Sequence, residues 1–244
     1  MDKLFCTELI LGKEKLRKLQ NAFVTVIGVG AVGSYAVEAL ARSGVGRLRL
    51  VDFDKIKPTN FNRHLCAVEA NLGKPKAEAA KERIAMIRPE CRVESLAIFA
   101  AEETLGEILA DGPDLVLDAV DSVGPKTQIL AACHERKIRV ISSMGAALRN
   151  DIFSVKAGDL TKTSGCPLAR QIRKKLRERG IGKGIFCVYS DTPVSEEPAN
   201  ATELPNAEDD YSRGRPRRKM GSLPTVPGVF GLVMAHYAIR FLTE

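Results

Sequence analysis

The sequence contains no tryptophan, and aromatic residues make up only 5% of its 244 residues. Hydrophobic residues still account for 45%, so aliphatic side chains must form most of the core of one large α/β domain. There is no uninterrupted run of about 18 apolar residues, and the N-terminal segment lacks the apolar region of a secretory signal. We therefore expect a cytoplasmic protein with no membrane contact.

Closely spaced cysteine pairs are also missing. Six cysteines are scattered along the chain, and none belongs to a C-x-x-C pair. This spacing argues against a structural zinc site and against a small disulfide scaffold. We expect most of the cysteines to be reduced and several to be buried as small hydrophobic side chains. They are Cys6, Cys66, Cys91, Cys133, Cys166 and Cys187.

Positive charge is in excess, with a formal net charge of +7 and an isoelectric point near 9.1. One interpretation is ordinary surface charge that keeps the protein soluble. The other is a polyanionic partner such as nucleic acid. Charge alone does not choose between the two.

Strand and helix patterns alternate from residue 23 to about residue 145. Continuous apolar runs of about four to eight residues are typical of buried parallel strands, and longer stretches with apolar residues three or four apart are typical of helices. The alternation predicts an α/β fold, a Rossmann-like doubly wound and mostly parallel sheet with helices on both faces. The predicted strands are 23–27, 48–51, 92–97, 115–117 and 140–141, and the predicted helices are 34–42, 74–87 and 125–136.

Other elements are expected at both ends of this core. A polar helix is predicted over 8–20. After residue 150 we predict a C-terminal extension, 150–244, with strands at 152–155 and 185–189, a basic helix at 168–179, a long mobile loop at 190–223 and a last helix at 226–242. Gly228 and Gly231 would allow that helix to pack closely. We interpret residues 1–244 as one domain, with 23–145 as its core.

The first functional motif is the glycine-rich loop Gly28-Val29-Gly30-Ala31-Val32-Gly33, which follows a predicted strand and opens a predicted helix. Glycine permits a tight turn and the close approach of phosphate to the backbone, and the helix N-terminus favours an anion. The alternative is a tight turn without a ligand. In this strand–turn–helix setting the loop favours nucleotide binding.

Asp52 ends the second predicted strand. A carboxylate at this position can accept hydrogen bonds from ribose hydroxyls. Both dinucleotides and ATP carry this ribose, so Asp52 does not separate a dehydrogenase from an ATP-dependent enzyme.

The residues that separate these classes are Asn60, Arg63 and Lys76. A triphosphate carries more charge than the pyrophosphate of a nicotinamide cofactor, and transfer of a nucleotidyl group requires fixed donors where charge develops. Arg63 can contact two phosphate oxygens and Lys76 supplies a point charge. The alternative for both cations is solvated surface charge. Their spacing from Asp52 favours an ATP site.

The set formed by Asp52-Phe53-Asp54, Asn60-x-x-Arg63, Lys76 and Asp118-x-x-Asp121 resembles the ubiquitin-activating-enzyme-like adenylating superfamily, which includes molybdopterin-synthase and thiamine-biosynthesis adenylyltransferases. The resemblance implies ATP and Mg²⁺ as cofactors, with Arg63, Lys76 and Asp121 catalytic and Asp121 serving the metal ion. Alternatively, Asp121 or Ser122 caps the following helix. The implied cofactor-binding residues are Gly28, Gly30, Gly33, Asp52, Asp54, Asn60, Arg63 and Lys76. Residues 1–244 would then form one adenylating domain, with 23–145 as its nucleotide-binding core.

Further stretches resemble one branch of this superfamily, the transfer-RNA threonylcarbamoyladenosine dehydratases. That branch implies adenylation of the threonyl carboxylate of the modified adenosine, followed by attack of the carbamoyl group within the same molecule, ring closure and release of AMP. The sulfur-carrier branch usually has two C-x-x-C zinc pairs, which this chain lacks. The matching stretches are 63–64 after 59–60, 71–76, 87–93, 118–123, 125–126, 159–163, 167–169, 175–177 and 187–190.

The chain departs from the family pattern near its N-terminus. Members often carry an arginine there that reaches the phosphates of a neighbouring subunit, whereas Cys6 stands in that stretch here. Either Arg17 substitutes for this arginine, or the contact between subunits is missing. A homodimer is therefore implied by the resemblance alone.

Cys187, placed before the predicted loop, has two interpretations: a buried strand residue, or a thiol in a sulfur relay with a sulfur-transfer protein partner. The relay would require a depressed thiol pKa.

Two basic runs favour transfer RNA as a partner, mainly through phosphate contacts. Each run alone could be a solvated face. The runs are Arg170, Arg173, Lys174, Lys175, Arg177 and Arg179 in the predicted helix, and Arg213, Arg215, Arg217, Arg218 and Lys219 in the loop.

Four functions remain open at this stage. The first is an ATP-dependent RNA-modification enzyme, and the second is an adenylyltransferase acting on the C-terminus of a sulfur-carrier protein. The third is a non-catalytic nucleotide-binding scaffold for a sulfur-transfer partner. The fourth is a nicotinamide dehydrogenase, which leaves Asn60, Arg63 and Lys76 unexplained.

Overall fold

The computed structural model describes residues 2–194 and 220–244. Within them, seven strands form one sheet: β1 Phe23–Ile27, β2 Arg47–Val51, β3 Arg92–Leu96, β4 Leu115–Asp118, β5 Val140–Ser143, β6 Val155–Asp159 and β7 Phe186–Ser190. Their order in the sheet is β3-β2-β1-β4-β5-β7-β6. All neighbouring pairs are parallel except β6 and β7. The doubly wound, mostly parallel sheet is thus confirmed.

Helices cover both faces of the sheet. They are α1 Phe5–Leu11, α2 Lys13–Asn21, α3 Gly33–Ser43, α4 Lys76–Ile87, α5 Leu105–Ile108, α6 Val123–Glu135, α7 Pro167–Glu178 and α8 Thr225–Thr243. One apolar core lies under α2, α3, α4 and α8, and the other under α5, α6 and α7. Because alternate side chains of a strand point to opposite faces, β1 contributes Val24 and Val26 to the first core and Ile27 to the second.

The C-terminal helix α8 packs against α3. A Cβ added at Gly231 would lie 2.3 Å from the carbonyl oxygen of Val32, and one at Gly228 would lie 3.2 Å from the Tyr35 ring. The predicted close packing at these glycines is therefore confirmed. By length and composition α8 is apolar enough to cross a membrane, the one such helix in the described ranges. In the fold, however, Phe230 and Met234 are fully buried in the first core.

Two sequence predictions of secondary structure were wrong. The predicted helix 8–20 is two helices, α1 and α2, because Gly12 adopts a φ of +81° between them. The predicted strand 152–155 is a 3-10 turn, since the Asp151 carboxylate accepts a hydrogen bond from the Phe153 amide at 2.9 Å and bends the chain. The strand β6 begins only where this turn ends. Most of the predicted loop 190–223, including its basic run, lies outside the described residues.

The order of the strands reverses between β1 and β4, which are neighbours in the sheet although their connections run in opposite directions. Ligands of open α/β sheets bind at such a switch point, outside the carboxyl ends of the strands. The glycine loop follows β1 and Asp121 follows β4. The fold therefore brings the two motifs to the same crevice.

Candidate nucleotide site

A cavity of about 640 Å³ occupies this crevice. The glycine loop and the carboxyl ends of β1, β2, β4 and β5 form its walls, together with the start of α7. Its lining includes nearly all of the residues predicted from the sequence: Gly28, Gly30, Asp52, Asp54, Asn60, Arg63, Lys76 and Asp121. Gly33 is the exception, because it lies inside the first turn of α3.

The glycine loop is built around two close contacts. Gly28 has a φ of +87°, and a Cβ on it would lie 2.9 Å from the backbone of Ala119. A Cβ on Gly33 would lie 1.9 Å from the carbonyl oxygen of Gly28. At Gly30, in contrast, nothing lies within 4 Å of an added Cβ, so this position leaves room for a ligand. Because α3 begins without a side-chain cap, its first amide groups suit an anion.

Asp52 is buried at the end of β2 and holds the glycine loop. One carboxylate oxygen accepts the Val29 amide at 2.8 Å, and the other accepts the Asp54 amide at 2.9 Å. Burial raises the pKa of Asp52, against the opposing charge of Lys76. Each oxygen retains a lone pair. The carboxylate can therefore hold the loop and accept a ribose hydroxyl together.

Lys76 is the first residue of α4, and its ammonium group lies 2.8 Å from the Asp54 carboxylate. Both side chains are nearly buried, with exposed fractions of 10% and 12%. The Lys76 amide also donates to the Asp54 carbonyl at 2.9 Å. Lys76 is thus not a solvated surface lysine, the alternative raised from the sequence, and its charge is fixed at the cavity wall.

Asn60 and Arg63 lie on the segment between β2 and α4. The Asn60 side chain accepts the Lys57 amide at 3.1 Å and so closes a 3-10 turn. Arg63 donates to the Thr59 carbonyl at 2.7 Å. Burial lowers the pKa of Arg63, while the negative charge of Asp121 acts in the opposite direction. Arg63 and Asp121 therefore act on each other across the cavity.

Asp121 is exposed on the connection between β4 and α6. The cap residue of α6 is Ser122, and its side chain makes no cap hydrogen bond. The structure therefore does not show the capping alternative for Ser122. The carboxylate of Asp121 lies instead at the rim of the cavity.

His64 lines the same cavity, and sequence reasoning gave it no role. Its signal in the sequence was the pair Arg63-His64, one of the stretches that resemble the dehydratase branch. The ring is buried, and its Nδ1 accepts the Cys66 amide at 3.0 Å. Burial, together with the charge of Lys76, lowers the pKa of His64 to about 4. The imidazole is therefore neutral beside the cations of the site.

This pKa predicts a loss of stability in acid. The pKa of His64 is lower in the folded state, about 4, than its ordinary value of 6.5, so protonation favours the unfolded chain as the pH falls. We expect the free energy of unfolding to drop by about 3 kcal/mol from this group between its two pKa values. Urea unfolding at several pH values would measure it.

The matched control is His64→Asn, whose side-chain oxygen can accept the Cys66 amide but does not titrate. The wild type should lose more stability than this variant between pH 6.5 and 4. Parallel pH profiles for the two proteins would contradict the prediction.

Comparison with known proteins identifies the family of this chain. The model of the ThiF family matches residues 4–244. The chain belongs to the ThiF family. A transfer-RNA threonylcarbamoyladenosine dehydratase of Bacillus subtilis is 42% identical, over 97% of this chain and 93% of the relative. Crystal structures of the Escherichia coli transfer-RNA N6-threonylcarbamoyladenosine dehydratase with ATP and with AMP match with TM-scores of 0.86, at 32% identity, covering 98% of this chain and 93% of theirs.

Cys187 lies in β7 of this ThiF-family fold and is fully buried. Burial raises the pKa of its thiol to about 12. A sulfur relay needs an accessible thiolate, so these properties favour the structural interpretation. All six cysteines are free, and Cys6 alone is exposed.

The N-terminal arginine candidate of the ThiF family pattern, Arg17, lies in α2 beside Asp114 and Leu115, at the amino end of β4. The nucleotide cavity is at the opposite, carboxyl end. Arg17 therefore cannot serve the cavity of its own chain.

The basic helix α7 presents its charge to solvent on one side and buries Ala169, Ile172 and Leu176 on the other. One predicted member of the run has a structural role, since Arg173 donates to the Thr163 carbonyl at 2.9 Å. The remaining five cations of the run are exposed: Arg170, Lys174, Lys175, Arg177 and Arg179.

Proposed function

We propose that this ThiF-family chain is an ATP-dependent dehydratase of threonylcarbamoyladenosine in transfer RNA. The observation that carries the proposal is the cavity in which Asp52, Arg63, Lys76 and Asp121 meet around the glycine loop. Similarity to named dehydratases over nearly the whole chain supports the substrate. The absence of C-x-x-C pairs from the sequence weighs against a sulfur-carrier substrate.

In this proposal the ribose of ATP binds the Asp52 carboxylate, and its phosphates lie over Gly30 at the start of α3. Arg63 and Lys76 compensate the phosphate charge. Their fixed positions stabilise charge that develops on the leaving pyrophosphate when the substrate carboxylate attacks the α-phosphate. Asp54 keeps Lys76 in place before the phosphates arrive.

Magnesium also fits the residues of the cavity. In the parts of the chain that the structure describes, no cluster of three or more His, Cys, Asp or Glu side chains could hold a metal ion. In nucleotide sites, however, Mg²⁺ is held by one or two carboxylates together with substrate phosphates. Asp121 offers such a carboxylate at the cavity rim. When bound there, the ion would neutralise phosphate charge.

The cavity extends past the nucleotide residues towards a wall formed by 144–149 and Leu168. Arg149 holds this wall together, because it donates to the Gly145 carbonyl at 2.9 Å and to the Ser190 hydroxyl at 2.7 Å. We assign the modified nucleoside to this part. The substrate carboxylate becomes an acyl-adenylate with loss of pyrophosphate, and the carbamoyl group of the same nucleoside then displaces AMP. Holding both groups in one cavity favours the intramolecular step.

The approach of the RNA follows from the position of α7. Its first residues, Pro167 and Leu168, line the cavity, and its exposed cations continue from there along the surface. Phosphates of the RNA can therefore contact α7 while the nucleoside enters the cavity. Contacts of this kind weaken steeply with salt.

Three further features of the proposal rest mainly on the resemblance. The first is a homodimer, which the exposed apolar residues Phe5, Leu9 and Ile10 of α1 support. The second is a cytoplasmic location, consistent with a transfer-RNA substrate. The third is a sulfur-transfer protein as partner, for which the buried Cys187 offers no accessible thiol.

The test is to incubate the protein with ATP, Mg²⁺ and transfer RNA that carries threonylcarbamoyladenosine. We expect a nucleoside lighter by one water in the mass spectrum, with one AMP formed per product. Omission of ATP is the control. A folded, ATP-binding preparation that forms no such product would refute the proposal. Pyrophosphate exchange stimulated by a small protein ending in Gly-Gly would favour the sulfur-carrier alternative instead.

A further inference from the structure

A cluster of buried polar side chains lies directly behind the cavity. Asp118 at the end of β4 and Lys126 in α6 are both fully buried, and the lysine ammonium lies 2.5 Å from the Asp118 carboxylate. Ser142 in β5 closes the triangle, since its hydroxyl donates to Asp118 at 2.6 Å and accepts from Lys126 at 3.1 Å. None of these three side chains lines the cavity.

Stability alone gives no reason for such a pair. A buried ion pair loses the hydration of both charges, and well-packed apolar side chains of similar volume are often equally stable. The two neighbouring strands and α6 are otherwise apolar where they meet, with Val116, Ile129 and Val140 buried in the second core. A full charge pair at this place therefore suggests a function in the adjacent site.

The cluster holds the segment that carries Asp121 from both of its ends. On one side, the second oxygen of Asp118 accepts the amide of Val120 at 3.1 Å. On the other side, the amide of Lys126 donates to the Ser122 carbonyl at 3.1 Å. The ammonium group of Lys126 in turn donates to the Asp118 carboxylate. The segment 119–122 is thus closed into a loop by the ion pair. Asp121 lies in this loop.

We propose that Asp118, Lys126 and Ser142 are positioning residues that fix Asp121 for its contact with the nucleotide and its metal ion. The inference rests on the role given to Asp121 in the proposed function. The same loop also contacts the glycine loop, because the backbone of Ala119 lies directly against Gly28. A charged acceptor binds the Val120 amide more strongly than a neutral one would, so the loop is held in a single geometry.

The principal test is the variant Lys126→Met, which keeps most of the side-chain volume and removes the charge. We expect kcat to fall by about 10- to 100-fold, as for residues that orient a ligand of a metal ion, with an unchanged KM for ATP. Calorimetry of ATP binding supplies a second measurement. The affinity of the variant for ATP without metal should equal that of the wild type. The gain in ATP affinity on adding Mg²⁺ should be smaller in the variant than in the wild type.

Thr127→Ala is the matched control. Thr127 is the next residue of α6 and is also buried, but its hydroxyl donates at 2.7 Å to the Val123 carbonyl in its own helix. We expect this variant to keep the kcat and the Mg²⁺ effect of the wild type. A Lys126→Met protein that is less stable but keeps both values would overturn the inference, since the pair would then only support the fold.

Ser142→Ala decides the question if Lys126→Met does not fold. It removes one corner of the triangle and leaves the ion pair, and we expect kcat to fall by up to about tenfold with ATP affinity without metal unchanged. A Ser142→Ala protein with normal kcat and a normal Mg²⁺ effect would count against the inference.

Metal-dependent ATP binding needs no RNA, so this comparison remains valid even if the proposed substrate is wrong. A wild type whose ATP binding gains nothing from Mg²⁺ would also overturn it.

Discussion

Replacing Asp121 with asparagine should lower kcat for AMP formation by about 100- to 1,000-fold, the effect of removing one group that stabilises developing charge in an active site. Asparagine keeps the size of the side chain and one acceptor oxygen but removes the negative charge. That charge is what the metal ion requires and what acts on Arg63 across the cavity. Turnover would be measured as AMP released at saturating ATP and modified transfer RNA.

Asp114→Asn provides the matched control for this change. Asp114 precedes β4, at the amino end of the strand that Asp121 follows, and its carboxylate accepts the Phe23 amide at 2.8 Å. Asparagine can keep that bond, so turnover should match the wild type. An Asp121→Asn enzyme that retains full turnover would remove the catalytic and metal roles assigned to Asp121.

The central strands could be predicted from the sequence because they are buried on both faces. A parallel strand of this kind is a continuous apolar run, and Val24, Val26 and Ile27 in β1 are all essentially inaccessible to solvent. The edge strand β6 lacks this signal, since its residues are only partly buried. Its start was therefore misplaced onto Ile152 and Phe153, which are apolar but exposed.

The site was predictable to the extent that it depends on where strands end. Asp52 and Asp121 both follow strands of a predicted parallel sheet, so the sequence places them at its carboxyl edge. That their strands are neighbours of β1 is shown by the structure. The environment of Lys76 was not predictable, because its burial depends on how the segment between β2 and α4 folds back onto Asp54. The triangle of Asp118, Lys126 and Ser142 was not predictable either, since it requires β4 and β5 to be adjacent.

Replacing Lys76 with methionine should have two separate consequences. Because the ammonium is fixed at the cavity wall, its loss should lower kcat/KM for ATP by about 100-fold or more. The same change leaves the nearly buried Asp54 carboxylate without its partner, which should lower the free energy of unfolding by about 3 kcal/mol. Initial rates over a range of ATP concentrations and urea unfolding would measure the two effects.

Lys74→Met is the control for the loss of a lysine from this segment. Lys74 lies two residues earlier and pairs with Glu82 at 2.6 Å on the surface. Surface pairs of this kind contribute little to stability, so both the kinetics and the unfolding free energy should remain close to those of the wild type.

The double variant Asp54→Asn with Lys76→Met separates the two consequences of losing Lys76. Without the carboxylate no unpaired charge is left at the cavity wall, so most of the lost stability should return. Activity should not return, because the phosphates still lack the cation. A double variant that recovers both stability and kcat/KM would mean that Lys76 serves only to neutralise Asp54. The assignment of the cavity to a triphosphate would then depend on Arg63 and the glycine loop. With a single cation at the phosphates, a dinucleotide would fit the cavity as well as ATP does.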